Sequence, residues 1–392
     1  MITDNLTKKR MFKGYLLLCF ILTLISCSIN YGLRVPLPPE STYAEDQKVR
    51  PLFKDGLYAN PFPSVRDSIN FREARKAMTS DKGVTVPTVE LPVQKVDIKK
   101  AFPDGKDGIF ITWLGHSTVL MQVDGVRILI DPVFSNNVSP VPFIGVKRFN
   151  KTKLISVNDL PYIDIVFLSH NHYDHLEKRT IKKLKSKVGF YITSSGVGGM
   201  LRGWGIDGAK IREHSWWEEG NFLTRNGVEI KYACTPARHF STRTLTDRNR
   251  TLWASWVIKT PNQKLFYSGD TSYAPHFKQI GYHYGPFDVA IIENGQYNIH
   301  WPDSHIFPED AVQACLDVKS KVMLPVHWGA FSLSRHDWWE PVTRTLKAAE
   351  EQDLNVVTPK IGLTIKIEDD LQTDRWWIQA MEEELRKLEI SK

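Results

Sequence analysis

Ile163-Asp164-Ile165-Val166-Phe167-Leu168-Ser169-His170-Asn171-His172-Tyr173-Asp174-His175-Leu176 joins two unlike halves. Its first six residues are a short, apolar, β-branched run, the pattern of a buried strand. The rest places His170, His172, Asp174 and His175 within six residues. Ligand-type side chains placed directly after a buried strand are costly to desolvate unless something binds them. Imidazole and carboxylate suit zinc, and about three or four such groups per ion is the usual protein supply. The order H-x-H-x-D-H fits two neighbouring ions. His170 and His172 turn toward one, Asp174 and His175 toward the other. A lone loop histidine reads as a solvated surface residue; this cluster does not.

Two ions need further ligands, and other strand ends supply them. Pro236-Ala237-Arg238-His239 follows a strand expected over 228–234. Ser268-Gly269-Asp270-Thr271 follows 265–267, and Pro325-Val326-His327-Trp328 follows 322–324. Other strands are expected at 109–114, 118–123, 127–130, 189–192, 252–259 and 289–292. The Asp124-Gly125 pair between the second and third of these is a hairpin signal. Helices fit 180–187, 308–319 and 340–351. Hairpins mixed with helical crossovers predict a layered α+β domain.

The completed pattern, H-x-H-x-D-H followed by His239, Asp270 and His327, resembles the metal signature of the metallo-β-lactamase superfamily. The resemblance implies a four-layer αββα sandwich with its site at the edge between two sheets. It implies two Zn2+ ions, one on His170, His172 and His239, the other on Asp174, His175 and His327. Asp270 bridges them, together with a water or hydroxide. Two cations about 3.5–4 Å apart acidify such a water and clamp the attacking and leaving oxygens. Iron or manganese also suits a His/Asp site. Each ligating imidazole needs a partner on its second nitrogen. Glu218, Glu219 and backbone carbonyls are the candidates.

Further stretches resemble one branch, the N-acylphosphatidylethanolamine-hydrolysing phospholipase D family. They are Thr112-Trp113-Leu114-Gly115-His116-Ser117-Thr118, Leu129-Ile130-Asp131-Pro132-Val133-Phe134-Ser135, Trp216-Trp217-Glu218-Glu219 and Leu252-Trp253-Ala254-Ser255-Trp256. Gly285-Pro286-Phe287-Asp288, His305, Pro308-Glu309-Asp310-Ala311-Val312 and His327-Trp328-Gly329 follow in order. The likeness covers residues 100 to 360 and extends weakly upstream through Asn60-Pro61-Phe62-Pro63. It implies cleavage of a membrane phospholipid into phosphatidic acid and an N-acylethanolamine. Asp270, Asp174 and His305 are then the expected catalytic residues. Tyr173, Tyr297, His305 and His116 are the expected substrate contacts, with His116 equally readable as structural. Two departures fall where head group or acyl chain would be read. Gly295-Gln296-Tyr297-Asn298-Ile299-His300-Trp301 lacks the family's Arg and Pro, and Ser304 stands for its Gln.

Two other readings compete. One is hydrolysis of a different bond, by a lactonase or β-lactamase of the same superfamily. The other is a non-enzymatic scaffold with a degenerate site, against which the complete ligand set argues. Leu252-Trp253-Ala254-Ser255-Trp256 and Gly285-Pro286-Phe287-Asp288 favour the phospholipase.

The N-terminus reads as an address. Lys8-Lys9-Arg10-Met11-Phe12-Lys13 precedes an 11-residue apolar run, 15–25, short for a membrane span and suited to a signal-peptide core. The run ends Leu24-Ile25-Ser26-Cys27, which resembles a bacterial lipobox. It implies a signal peptide over 1–26 and lipidation of Cys27. Ser28 after it implies an outer-membrane lipoprotein facing the periplasm. Residues 27–100, rich in proline and charge, read as a tether and packed extension. Residues 101–392 read as the hydrolase domain. The net charge is +7, of which the first 26 residues supply +3. With no long basic run, this excludes a nucleic-acid footprint. Cys234 and Cys315 fit a disulfide and two buried thiols equally well. The pairs Trp216-Trp217, Trp338-Trp339 and Trp376-Trp377 fit core packing and a lipid-facing role alike. A helix of mixed charge over 379–387 is suited to pack a homodimer.

Overall fold

The computed structural model describes residues 39–64, 83–105, 107–139, 145–150, 152–368 and 374–390. The expected signal peptide and Cys27 lie outside the described residues.

A hairpin in the extension, β1 (Leu52–Lys54) and β2 (Leu57–Ala59), and a short helix α1 (Ile98–Ala101) precede the first sheet. β3 (Ile109–Trp113), β4 (Val119–Val123) and β5 (Val126–Ile130) form an antiparallel meander. Asp124 and Gly125 both take positive φ, 48° and 77°, as a two-residue hairpin turn requires. A small ribbon, β6 (Asn137–Val138) and β7 (Val146–Lys147), follows. Next come β8 (Ile163–Leu168), α2 (Lys178–Leu184), β9 (Val188–Ser194), α3 (Val197–Gly203) and β10 (Ile211–His214). β5, β8, β9 and β10 run parallel.

The second sheet repeats this plan. β11 (Glu219–Leu223), β12 (Glu229–Thr235), β13 (Ser255–Lys259) and β14 (Lys264–Tyr267) are antiparallel. α4 (His276–Tyr284), β15 (Phe287–Glu293), α5 (Pro308–Asp317), β16 (Ser320–Val326), α6 (Glu340–Glu351) and β17 (Asn355–Val356) continue it in parallel. β18 (Thr364–Lys366) returns to the edge of the first sheet beside β3, and α7 (Ile378–Ile390) closes the chain. The orders are β10-β9-β8-β5-β4-β3-β18 and β11-β12-β13-β14-β15-β16-β17.

Each strand of the sandwich buries alternate residues on opposite faces. In β8, Val166 and Leu168 face outward onto Ile181 and Leu184 of α2. Phe167 faces inward onto the second sheet, with ring centroids 5.9 Å from Tyr232 and 5.6 Å from Trp256. Phe277 and Ile280 of α4 and Ala311, Val312 and Cys315 of α5 cover the far side. The result is four layers, αββα. Each sheet changes from antiparallel to parallel once, at β5 in the first and β14 in the second.

Some expectations shift. The strand expected over 252–259 starts at Ser255, because Leu252 and Ala254 donate to Ser195 and Ser169 across the sandwich instead of to a neighbouring strand. Cys234 and Cys315 are free, buried thiols. All six paired tryptophans are buried. Trp216 donates to Trp253 O, Trp217 to Val49 O, and Trp376 stacks on Trp328. They are core residues, not a lipid-facing surface.

Trp256 is fully buried between the sheets, and its indole N–H donates to Leu168 O at 3.2 Å. Trp256→Ala is expected to lower unfolding free energy by about 3–5 kcal/mol, read from denaturant melts.

Candidate metal centre

Strand ends build the centre. After Leu168, Ser169 N–H donates to Asp131 Oδ1 at 2.8 Å, which turns the chain out of β8. Leu176 N–H then bonds His172 O, curling 172–176 into a helical turn. His239 follows β12, Asp270 follows β14 and His327 follows β16. The turn carrying Asp270 needs Gly269. Its φ is +59°, and a Cβ there would lie 2.5 Å from Ala254 O.

Two sets of ligand-type atoms converge, each within 4.8 Å: His170, His172, His239 and Asp270, then His116, Asp174, His175 and His327. Asp270 lies between them. Its Oδ2 is 3.8 Å from His170, 3.7 Å from His239 and 3.0 Å from His175, while its Oδ1 is 3.2 Å from His327. All seven residues expected from the sequence are therefore together.

The donor set fits a pair of cations. Nε2 of His170, His172, His175 and His327, and Oδ1 of Asp270, are buried without a hydrogen-bond partner. An unsatisfied buried polar group costs about 1–3 kcal/mol. Several facing one another are tolerable when an ion satisfies them together. Burial pushes the His172 pKa down to about 3 and that of His116 to about 4, and holds His170, His239 and His327 well below the usual range. Neutral imidazole is the form that ligates. His175 differs. Burial lowers it, but the carboxylates of Asp270 and Asp174 and the bond to Asp131 outweigh burial and raise it.

A model of the β-lactamase superfamily domain matches residues 126–328. The chain belongs to this superfamily. Within it, the relatives include N-acyl-phosphatidylethanolamine-hydrolyzing phospholipase D 1 of Caenorhabditis elegans. That protein is 33% identical over 298 residues, covering 73% of this chain and 82% of the relative. The uncharacterized protein Rv0906 of Mycobacterium tuberculosis is 36% identical over 337 residues, 83% of this chain and 87% of its own. Outer membrane protein RomA of Klebsiella pneumoniae is 53% identical over 94 residues, 24% of this chain and 70% of RomA. Igni18, a metallo hydrolase of Ignicoccus hospitalis, shares the fold with a TM-score of 0.50 at 22% identity. The match covers 66% of this chain and 98% of that one.

Of the partners expected for the ligand imidazoles of this metallo-β-lactamase site, a backbone carbonyl serves one and the two glutamates serve none. Glu218 and Glu219 bind Ser215 N and Tyr284 OH, not ligand imidazoles. Instead, Nδ1 of His170 meets Ser169 Oγ, that of His239 meets Ser304 O, and that of His327 meets Ser117 Oγ. Asp131 supports His175 from 2.7 Å and also accepts from Tyr267 OH and Ser169 Oγ. Asp131 carries no role in the expected site. Its signal is a carboxylate ending an apolar strand. His116 lies against Asp174, with Nε2 at 2.8 Å from Oδ2. It extends the second ligand set. His116, Asp131 and His327 all take positive φ, 54°, 38° and 68°. Such strain persists where surroundings over-determine it. His116 N–H donates to Trp328 O, and His327 N–H to His116 O.

The expected substrate contacts divide. His305 stands over the centre, stacked 5.3 Å from His327 and edge-on 5.1 Å from His239. Tyr173 lies in the ligand loop, but its hydroxyl donates to Arg243 O and its ring sits under the Arg243 guanidinium. Tyr297 is turned away. It stacks on His336 and donates to Glu340 of α6. Arg238 and Arg243, which flank the ligand His239, are braces. Arg238 reaches Pro63 O and Asp303, and Arg243 reaches Asn171 O and Leu176 O.

Asp131→Asn replaces an acceptor of several bonds with an amide that places a donor against one of them. Metal affinity is expected to fall about 10–100-fold, read by chelator competition, with the fold retained.

Proposed function

We propose that this hydrolase is a dinuclear zinc phosphodiesterase that cleaves N-acylphosphatidylethanolamine to phosphatidic acid and an N-acylethanolamine. The observation that carries the reading is Asp270 between two complete ligand sets. It occurs in a chain related along most of its length to a phospholipase of that specificity. When bound, paired zinc ions acidify an attacking water and offset charge on phosphoryl oxygens.

The chain's own residues prepare that chemistry. Asp270 and Asp174 supply negative charge among buried imidazoles, and both lie beside His175, at 3.0 and 3.4 Å. His305, with a side chain 16% exposed beside His170 and Asp270 at 1% and 2%, is open to a bound substrate. Fixed dipoles that need no rearrangement during reaction favour the charged transition state. Asp131, Ser117, Ser169 and Ser304 O hold the ligand rings in place.

The protein is further proposed to work at a membrane, tethered through lipidated Cys27. Among the described residues no helix is long and apolar enough to cross one. The kinship with RomA, itself named an outer membrane protein, supports an envelope location.

Mass spectrometry of products from detergent-dispersed N-acylphosphatidylethanolamine tests the reaction. Phosphatidic acid and N-acylethanolamine are expected, and a chelator should abolish both. Two bound metal ions without turnover would overturn the substrate and leave the hydrolase. Asp270→Asn should lower turnover by orders of magnitude with the fold intact, and a near-wild-type rate would refute its bridging role. Cys27→Ser should move the protein from the membrane to the soluble fraction of fractionated cells; membrane retention would count against a sole lipid tether.

A further inference from the structure

Glu293 ends β15 after the apolar run Val289 to Ile292, and is wholly buried. A carboxylate in such a place must be bonded. One oxygen accepts the backbone N–H of Thr271, the residue after Asp270. The other meets Nδ1 of His305. Nδ1 is therefore committed, and Nε2 is the nitrogen left for a substrate. The ring is confined as well, by stacking on His327 from one ligand set and meeting His239 of the other edge-on.

We propose that Glu293 is a positioning residue that takes the Nδ1–H of His305, fixes its tautomer and orientation across both ligand sets, and presents Nε2 to the substrate. The proposal rests on the hydrolase reading of the same site. When ionised, the Glu293 carboxylate suits the task because both its oxygens accept, one from Thr271 and one from His305. Burial and Asp270 act against that ionisation and raise its pKa. A glutamine of equal size would set its amide N–H against one of these donors.

The test is a double-mutant cycle on the zinc-loaded protein with E293Q, H305A and the pair, on whichever ester the wild type hydrolyses. E293Q is expected to lower kcat about 10–100-fold, with KM within about twofold and two metal ions retained. In the H305A background, adding E293Q should change the rate little, because the two act as one unit. Independent, multiplying losses would overturn the proposal, as would loss of metal from E293Q. A second readout needs no substrate. Imidazole nitrogen NMR, with His305 assigned by its absence in H305A, should show Nδ1 protonated in the wild type and altered in E293Q. An Nε2-protonated wild type would refute the proposal. An Nδ1-protonated His305 in an enzyme inactive on N-acylphosphatidylethanolamine would sustain it while the proposed substrate fell.

Discussion

Unpaired imidazole nitrogens and carboxylate oxygens, buried and aimed at one another, are the constraint around which this molecule is arranged. No hydrogen bond among the described residues satisfies Nε2 of His170, His172, His175 or His327. A protein interior tolerates such groups only if an ion answers them together. The sandwich keeps them dry and close. The second nitrogens of His170, His175 and His327 are bound by Ser169, Asp131 and Ser117, so the open nitrogens of these three can face only one way.

The two sheets deliver these groups from opposite sides. The first gives the loop after β8 and the carboxylate after β5. The second gives His239, Asp270, Glu293 and His327 from β12, β14, β15 and β16. Neither sheet alone holds a complete set. The inter-sheet packing of Phe167 against Tyr232 and Trp256 therefore also sets the spacing of the centre. A loss of packing there reaches the ligands without touching them.

Much of this was legible in the sequence because it is local. β8 and its histidine loop, the Asp124-Gly125 turn, and the Asp270 and His327 strand ends announce themselves over a few residues each. What escaped is relational. β10 and β11 are edge strands with polar, part-exposed faces, so they lack an apolar signature. The helix expected over 180–187 stops at Leu184. Lys187 then turns back to bond the carbonyls of Asn158 and Leu160. Asp131 and Glu293 look like isolated acids until Tyr267, 136 residues away, and His305, 12 residues away across a loop, arrive beside them. Tyr297 misled for the same reason, its partner Glu340 being distant in sequence.

The extension ahead of the first sheet is no idle leash. Asn60 donates to the carbonyl of the ligand His239 at 2.8 Å, and Arg238 beside it reaches Pro63 O. Asp303, two residues before His305, receives both Arg238 and Ser64. Upstream, Val49 O takes the indole of Trp217, and Gln279 of α4 holds the carbonyls of Thr42 and Ala44. The segment is thus a buttress keyed into the wall of the centre. Mechanical load or a proteolytic nick on it would reach a ligand's backbone through the hydrogen bond from Asn60 to His239 O.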